Sequence, residues 1–329
     1  MALYETGTAS TTDDFVDKLM DFATVTNTGF TQNNRDLGAD TAALNDGGSL
    51  FVQMDWDTND IALYQSLGFT GPAPWGGETD DSGSGHLTGT TGRGLHLPAA
   101  ATGPYTSYHF FTDHATAGTY VHAVIEYSSG IYRHMGFGNI SKIGDWTGGE
   151  YCYGHQWSQL ANDIDAPKDL LHACPWDTIG TSAPDKYPTM HIEGMPDQGA
   201  SSKWGVMWGG TSPGTDTAAV ARVNLLGGMR DGPIMNMFGG FSTNPVNGFI
   251  ALVPLAVMYH NTTPAPDELT LLGFAPDTRY VNMKNLTPGA VYTVGAEKWR
   301  VFPLVRKQYL KDDTEESWNA GIAYRDYVS

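Results

Sequence analysis

Two cysteines in a chain of 329 residues are too few for a disulfide framework, which excludes a small stapled secreted scaffold. Charge is scarce as well: only 16% of residues are Asp, Glu, Lys or Arg, against roughly 25% in ordinary soluble domains. So thin a charged shell suits a chain whose surface is covered by neighbours. Basic residues are scarcer still, 18 against 36 acidic ones, and the net charge of −18 opposes direct binding to a phosphate backbone. No nucleic-acid partner is expected. Long apolar runs are missing: Phe249 to Met258 is the longest, it contains Pro254, and it is about half of what a membrane-crossing helix needs. No membrane span is expected either. The opening Met1-Ala-Leu-Tyr-Glu-Thr-Gly has neither a basic n-region nor an apolar h-region, so synthesis in a cytoplasm without export is expected. The G-x-S-x-G, H-E-x-x-H and dinucleotide-binding glycine fingerprints are absent, as is any repeat of about 20 to 50 residues. The chain does not read as an enzyme.

What is abundant is turn chemistry and aromatic side chains. Forty Gly and 18 Pro without a strict period, with 12% aromatics, describe an all-β protein with many turns and long loops. The densest strand signal runs from Tyr105 to Trp157. Tyr120, His122, Val124 and Glu126 alternate with Val121, Ala123, Ile125 and Tyr127, so an extended chain places the two sets on opposite faces, the second of them apolar. Ser128-Ser129-Gly130 then turns the chain, and Ile131 to Gly138 returns as a second strand. Lys142 to Trp146 continues extended, and Glu150 to Tyr153 makes a third strand of an antiparallel meander.

One helix is predicted. Thr11-Thr12-Asp13-Asp14 supplies caps and acids for its start, and Phe15, Leu19, Phe22 and Ala23 form one apolar stripe to about Thr24. Gly48 to Asp55 and Ile61 to Phe69 form a hairpin across Asp57-Thr58-Asn59-Asp60. Gly71 to Gly103 reads as one long Gly/Thr-rich loop. Trp157 to Lys203 is polar and punctuated by Pro, with one helical turn near Pro167 to Leu171. Further strands are expected at Lys203 to Gly209, Ala218 to Leu226, Pro233 to Phe238, Phe249 to Tyr259, Asn282 to Val294, Lys298 to Lys307 and Ala320 to Tyr327. The expected fold is mainly β: an antiparallel sandwich or barrel-like meander with one N-terminal amphipathic helix and long loops. Its segments are 1–70 (helix plus hairpin), 71–103 (loop), 104–270 (central β core) and 271–329 (C-terminal β segment), or all of these form a single domain.

The run Tyr120-Val121-His122, Gly130-Ile131-Tyr132-Arg133-His134, Gly136-Phe137-Gly138, Lys142-Ile143-Gly144, Thr147-Gly148-Gly149 and Tyr153-Gly154 resembles the core motif of structural proteins of tailed-bacteriophage virions. The similarity extends to Gly295 to Arg306 and, more loosely, to the N-terminal helix, about half of the chain. It implies a structural subunit of the tail, neck or baseplate that assembles into a ring. Its partners would be other copies of itself and other virion proteins, and its place the virion, after synthesis in the host cytoplasm. The alternative is a receptor- or host-glycan-binding module at the particle surface using exposed Trp and Tyr. Charge placement agrees with assembly: residues 1–100 carry 3 basic and 14 acidic side chains, net −11, whereas Arg279 to Lys311 carries 7 basic and 1 acidic, net +6.

Several constellations are candidates for chemistry. Cys152-x-x-His155 with His172-x-Cys174 is a legitimate tetrahedral zinc set, the one cofactor the sequence admits; a Cys152–Cys174 disulfide or two ordinary structural thiols are the other readings. Glu126, Asp145 and Glu150, near Trp146 and Trp157, are the carboxylates a glycosidase would need. His109, His114, His122 and His134 with Glu126 contain the donors of a metal centre but read as satisfied strand residues. Asp55, Asp57 and Asn59 imitate the start of a calcium loop without its Gly and closing Glu, and Gly85 to Arg93 imitates a phosphate loop without its Lys ending.

Overall fold

The computed structural model describes residues 4–26, 29–48, 50–58, 60–69, 78–79, 93–96, 103–112, 120–155, 175–176, 189–195, 204–208, 221–225, 250–261, 268–307 and 320–327. In chain order, strand β1 (Tyr4–Ala9) precedes helix α1 (Thr12–Asp21) and a π-helical turn at Phe22–Thr26. Then come β2 (Thr31–Asp36), β3 (Thr41–Asn45), β4 (Phe51–Trp56), β5 (Asp60–Ser66), β6 (Gly68–Phe69), β7 (Glu78–Thr79) and β8 (Arg93–His96). The middle of the chain gives β9 (Tyr105–Phe111), β10 (Tyr120–Ser128), β11 (Ile131–Asn139), β12 (Ser141–Lys142), β13 (Thr147–Gly154), β14 (Thr189–Glu193), β15 (Trp204–Trp208) and β16 (Ala221–Leu225). The last part gives β17 (Val253–Asn261), β18 (Glu268–Asn282), β19 (Val291–Val294), β20 (Glu297–Pro303) and β21 (Ala320–Arg325).

The fold is mainly β, sandwich-like and antiparallel, with one short helix near the N-terminus, as the sequence predicts. Only the β15–β16 pair among the described strands is parallel. A fourteen-stranded sheet runs β1-β9-β10-β11-β13-β14-β15-β16-β17-β18-β21-β20-β19, and β12 leaves that path to pair with β18. That departure corrects the reading of Lys142 to Trp146 as part of the meander: Ser141 and Lys142 pair with Phe274 and Gly273 instead. Beside the other end of β11, Ile131 bridges Arg306 and the Tyr132 N–H donates to the Val305 carbonyl at 2.6 Å. The sheet therefore rolls until its C-terminal strands lie over the meander β9-β10-β11-β13.

A second sheet, β2-β3-β4-β5-β8, lies with α1 on the meander's opposite side. The helix starts where Thr11 accepts from the Asp14 N–H at 3.2 Å, and it buries Phe15, Val16, Leu19 and Met20 against Val52, Met54, Phe110, Val121 and Phe137. Each such apolar side chain contributes about 1.5–3 kcal/mol on burial. The segment Gly71 to Gly103, expected as one loop, supplies the strands β7 and β8, and β8 closes the edge of the five-stranded sheet beside β5. The helical turn at Pro167 to Leu171, the strand at Pro233 to Phe238 and most of the Gly71 to Gly103 loop lie outside the described residues.

Covered on both sides, the meander is buried throughout its centre: Tyr120 to Ile125, Tyr132 to Gly138 and Gly148 to Gly154 are all buried. One face, with Val121, Ala123, Ile125, Met135, Phe137 and Cys152, looks toward the helix; the other, with Tyr120, Val124, Tyr151 and Tyr153, looks toward the C-terminal strands. Gly136 is the tightest point. A Cβ there would stand 2.6 Å from the Tyr153 ring, 2.7 Å from the Val121 carbonyl oxygen and 3.0 Å from His122 Nδ1. Gly136→Ala is therefore expected to lower unfolding free energy by about 3 kcal/mol through overpacking. Gly130→Ala, in a turn at φ 74° with open space around it, is expected to cost only about 1 kcal/mol. Urea denaturation of the two variants compares them, and equal losses would contradict this account of the packing.

Candidate functional site

Buried polar groups collect at two places, and a local backbone feature builds the first. At β13–β14 the pairing shifts register between Gly148 and Tyr151, with Gly148 at φ 113° and Gly149 at φ 110°. A side chain at Gly148 would meet the His191 carbonyl at 2.2 Å, so only glycine fits this bulge. The bulge brings Glu150 beside His191, whose Nδ1 donates to Glu150 Oε2 at 2.6 Å while Nε2 donates to Glu193 Oε1 at 2.9 Å. Burial alone would push the His191 pKa down, but the two carboxylates outweigh it and hold it above its ordinary value. With a carboxylate on each nitrogen the protonated ring is the favoured form. It fixes the two strands together and has no lone pair to offer as a base.

The second collection spans the face of the meander that meets the C-terminal strands, where β9, β10 and β11 each contribute one histidine. His122 Nε2 lies 3.0 Å from the Pro276 carbonyl, which only accepts, so that nitrogen carries the proton and Nδ1 accepts from the Tyr153 hydroxyl at 2.8 Å. His134 repeats the pattern: Nε2 donates to the Pro303 carbonyl at 2.9 Å, and Nδ1 accepts from the Tyr324 hydroxyl at 2.8 Å. In the third pair His109 Nε2 donates to Ser107 Oγ at 3.2 Å, because Ser107 gives its own proton to Glu126 at 2.9 Å, and Nδ1 accepts from Tyr4 at 2.7 Å. Burial pushes all three imidazoles down to about 3, so each is neutral. Aromatic rings enclose them: Tyr153 stacks on Trp176 at 3.7 Å, and Phe302 lies 4.7 Å from the His109 ring.

The residues singled out in the sequence fall into this frame unevenly. Cys152 and His155, three apart on extended backbone, point to opposite faces: Cys152 into the helix-side core, His155 against His134 at 5.4 Å. The structure therefore turns the two members of this half of the zinc set away from each other. His155 Nδ1 also accepts the His134 N–H at 2.8 Å, leaving its proton on Nε2. His172 and Cys174 lie outside the described residues, as do His114, Trp157 and Asn59. Among the described residues no group of three or more His, Cys, Asp or Glu has the arrangement to hold a metal ion.

Of the three carboxylates of the sugar-cleft reading, Glu126 and Glu150 are distant from each other. Glu126 pairs with Tyr132 and Glu150 with Asn139, seven positions apart on β11 and so about 23 Å, against the roughly 5–10 Å of a glycosidase pair. Asp145 is exposed. The acids Asp40 and Asp55 crowd with Asp13, Asp36 and Asp57 near the start of α1, and burial followed by these neighbours raises both pKa values. His191 and Glu193 escaped the sequence reading, although His-x-Glu on a strand places both on one face.

A scan against protein-family models finds no match to this chain, and a search of curated proteins finds none either.

The His191 cluster predicts a pH dependence. A ring whose folded pKa is raised stabilises the fold fully below the unfolded value of about 6.5 and loses that contribution as pH rises through the folded value. Wild-type stability is expected to fall above about pH 6.5 by at most about 1.4 kcal/mol per pH unit for this group. Glu150→Gln is expected to flatten that fall, as measured by denaturation midpoints from about pH 6 to 9; an unchanged slope would remove His191 as its source.

Proposed function

We propose that the chain is a structural subunit of a tailed-phage particle, built into a ring in the tail, neck or baseplate. What supports the reading is the use made of the residues that carry the resemblance. Of these, Tyr120, Val121, His122, Tyr132, Arg133, His134, Gly136, Phe137, Gly138, Gly148, Gly149, Tyr153 and Gly154 are buried in the doubly covered meander, while Gly130, Lys142, Ile143, Gly144 and Thr147 lie exposed at its turns and strand ends. The buried ones set strand spacing, core filling and bulge geometry, which is the work of a scaffold. The long sheet ends in β1 at one side and β19 at the other, each with one strand neighbour among the described residues. Such edges extend a sheet into another chain when assembly covers them.

The charge asymmetry acts at the same joints, though part of the basic pole is used internally. Arg300 pairs with the buried Asp326 at 2.8 Å and lies 4.2 Å from the Tyr4 ring, while Arg279 stacks on Trp299 at 4.9 Å. Lys284 and Lys298 remain exposed for a neighbour. Mass spectrometry of intact particles is expected to find the chain in fixed ratio to other structural proteins. The purified chain is expected to self-associate in light scattering, several-fold less at about 0.5 M salt than at about 0.02 M. A chain absent from particles, single-copy at every ionic strength and binding a defined glycan would overturn the reading.

A further inference from the structure

We propose that the three Tyr–His pairs form an acid-released latch: protonation of His109, His122 and His134 frees the C-terminal strands β17, β18, β20 and β21 from the meander while the helix-side half stays folded. The geometry is specific to that boundary. His122 reaches from β10 to the Pro276 carbonyl of β18, and His134 from β11 to the Pro303 carbonyl of β20 and the Tyr324 hydroxyl of β21. His109 links β9 to Tyr4 of β1 and packs on Phe302 of β20. The helix-side interface receives no histidine from these three strands: it takes Tyr105, Tyr108 and Phe110, then Val121, Ala123 and Ile125, then Arg133 opposite Ile125, Met135 and Phe137. Acid therefore reaches the bonds of one interface and leaves the other intact.

Protonation adds a hydrogen to Nδ1, the atom that each tyrosine hydroxyl now donates to. The hydroxyl must then reverse to accept, and the new cation sits in an aromatic cavity. Groups facing His122 are Tyr120 on its own strand, Tyr151 and Tyr153 from β13, Tyr324 from β21, Trp176, and the Pro276 carbonyl beside Asp277, whose carboxylate already accepts from Tyr120 and Tyr327. Facing His134 are His155, Phe302, Tyr324 and the cationic Arg133 next to it in sequence. Facing His109 are Tyr4, Ser107 with Glu126 behind it, Phe302 and Arg300. The cations Arg133 and Arg300, and His134 as seen from His109 and His122, oppose a further positive charge. Once one ring is charged the next is harder to charge in place, so release is cooperative.

These rings are neutral in the fold and ordinary in the open form, so stability is lost as pH falls from about 6.5 toward about 3. At about pH 4.5 each histidine favours the open form by about 100-fold, and His122 and His134, the two bonded directly to the C-terminal strands, do so together by about 10,000-fold. Hydrogen exchange on the full chain at about pH 7.5 and 4.5, corrected for intrinsic rates, reads this directly. Peptides within 253–261, 268–303 and 320–325 are expected to lose protection by roughly that factor, while 12–26 and 41–66 keep theirs. In parallel, NMR of histidine labelled in the ring is expected to show three neutral rings that titrate together with the loss of protection. Tyr324→Phe, which removes one donor and leaves the apolar core, is expected to shift the exchange transition. Equal loss of protection in both halves at one midpoint, no loss between the two pH values, or histidines that titrate without opening would each overturn the latch.

Discussion

Burial of the meander on both faces is the constraint from which the rest of the structure follows. A strand exposed on one side can place any polar residue outward, but β10, β11 and β13 have no outward side. Each side chain there must be apolar or must carry its hydrogen-bond partners with it, because an unpaired buried polar group costs about 1–3 kcal/mol. The sequence answers with Val, Ala, Ile, Met and Phe on the helix side, where Arg133 also lies, over the Tyr127 ring and donating to the Tyr132 carbonyl, and with Tyr–His pairs on the other. The proline carbonyls complete the second set: Pro276 and Pro303 offer acceptors from the C-terminal strands exactly where the imidazole Nε2–H groups need them.

The same constraint fixes the glycines. Two strands packed from both sides leave no slack, so Gly136 admits the Tyr153 ring and the Val121 carbonyl at distances where a methyl group would overlap both. Gly273 does the equivalent where β12 closes the roll, since a Cβ there would meet the Ser141 carbonyl at 2.3 Å. The roll itself depends on that approach, because the Ser141–Phe274 and Lys142–Gly273 pairs are what turn the sheet over onto the meander.

How much of this could be read from the residues depends on how local each signal is. Helix α1 was legible because its cap, its acids and its apolar stripe lie within a dozen residues, and the β10–β11 hairpin because alternation and turn adjoin. The Glu268–Asn282 strand was not: Gly273, Pro276 and Asp277, the last at φ 44°, break its pattern in the middle, and it stays extended only because β17 and β21 hold it from both sides. The Thr189–Glu193 strand lay in a stretch that read as loop for its prolines. The candidate sites were harder still. Glu150 meets His191 through a bulge and a pairing some 40 residues apart, and His134 meets Tyr324 across 190 positions, so no spacing in the sequence announces either contact.

Why a core so rich in aromatics should hold three histidines, when phenylalanine would fill similar volume without a partner, is a question of register. Side chains on a strand alternate, so a slip of one position in β9, β10 or β11 would turn His109, His122 or His134 from the Tyr–His face into the cluster of Phe15, Val16, Val52 and Met54. There the hydroxyls of Tyr105 and Tyr108 are already engaged with Thr12 and Glu5, and the slipped pairing would carry about 1–3 kcal/mol of unsatisfied polar burial for each ring. A phenylalanine in the same place would be nearly as comfortable on either face. The histidines thus add little net stability over an apolar ring, yet they make the correct pairing of the meander the only one in which every buried polar atom they bring is bonded. A fold assembled from strands this alike in composition, and this uniformly buried, depends on that discrimination more than on further hydrophobic area.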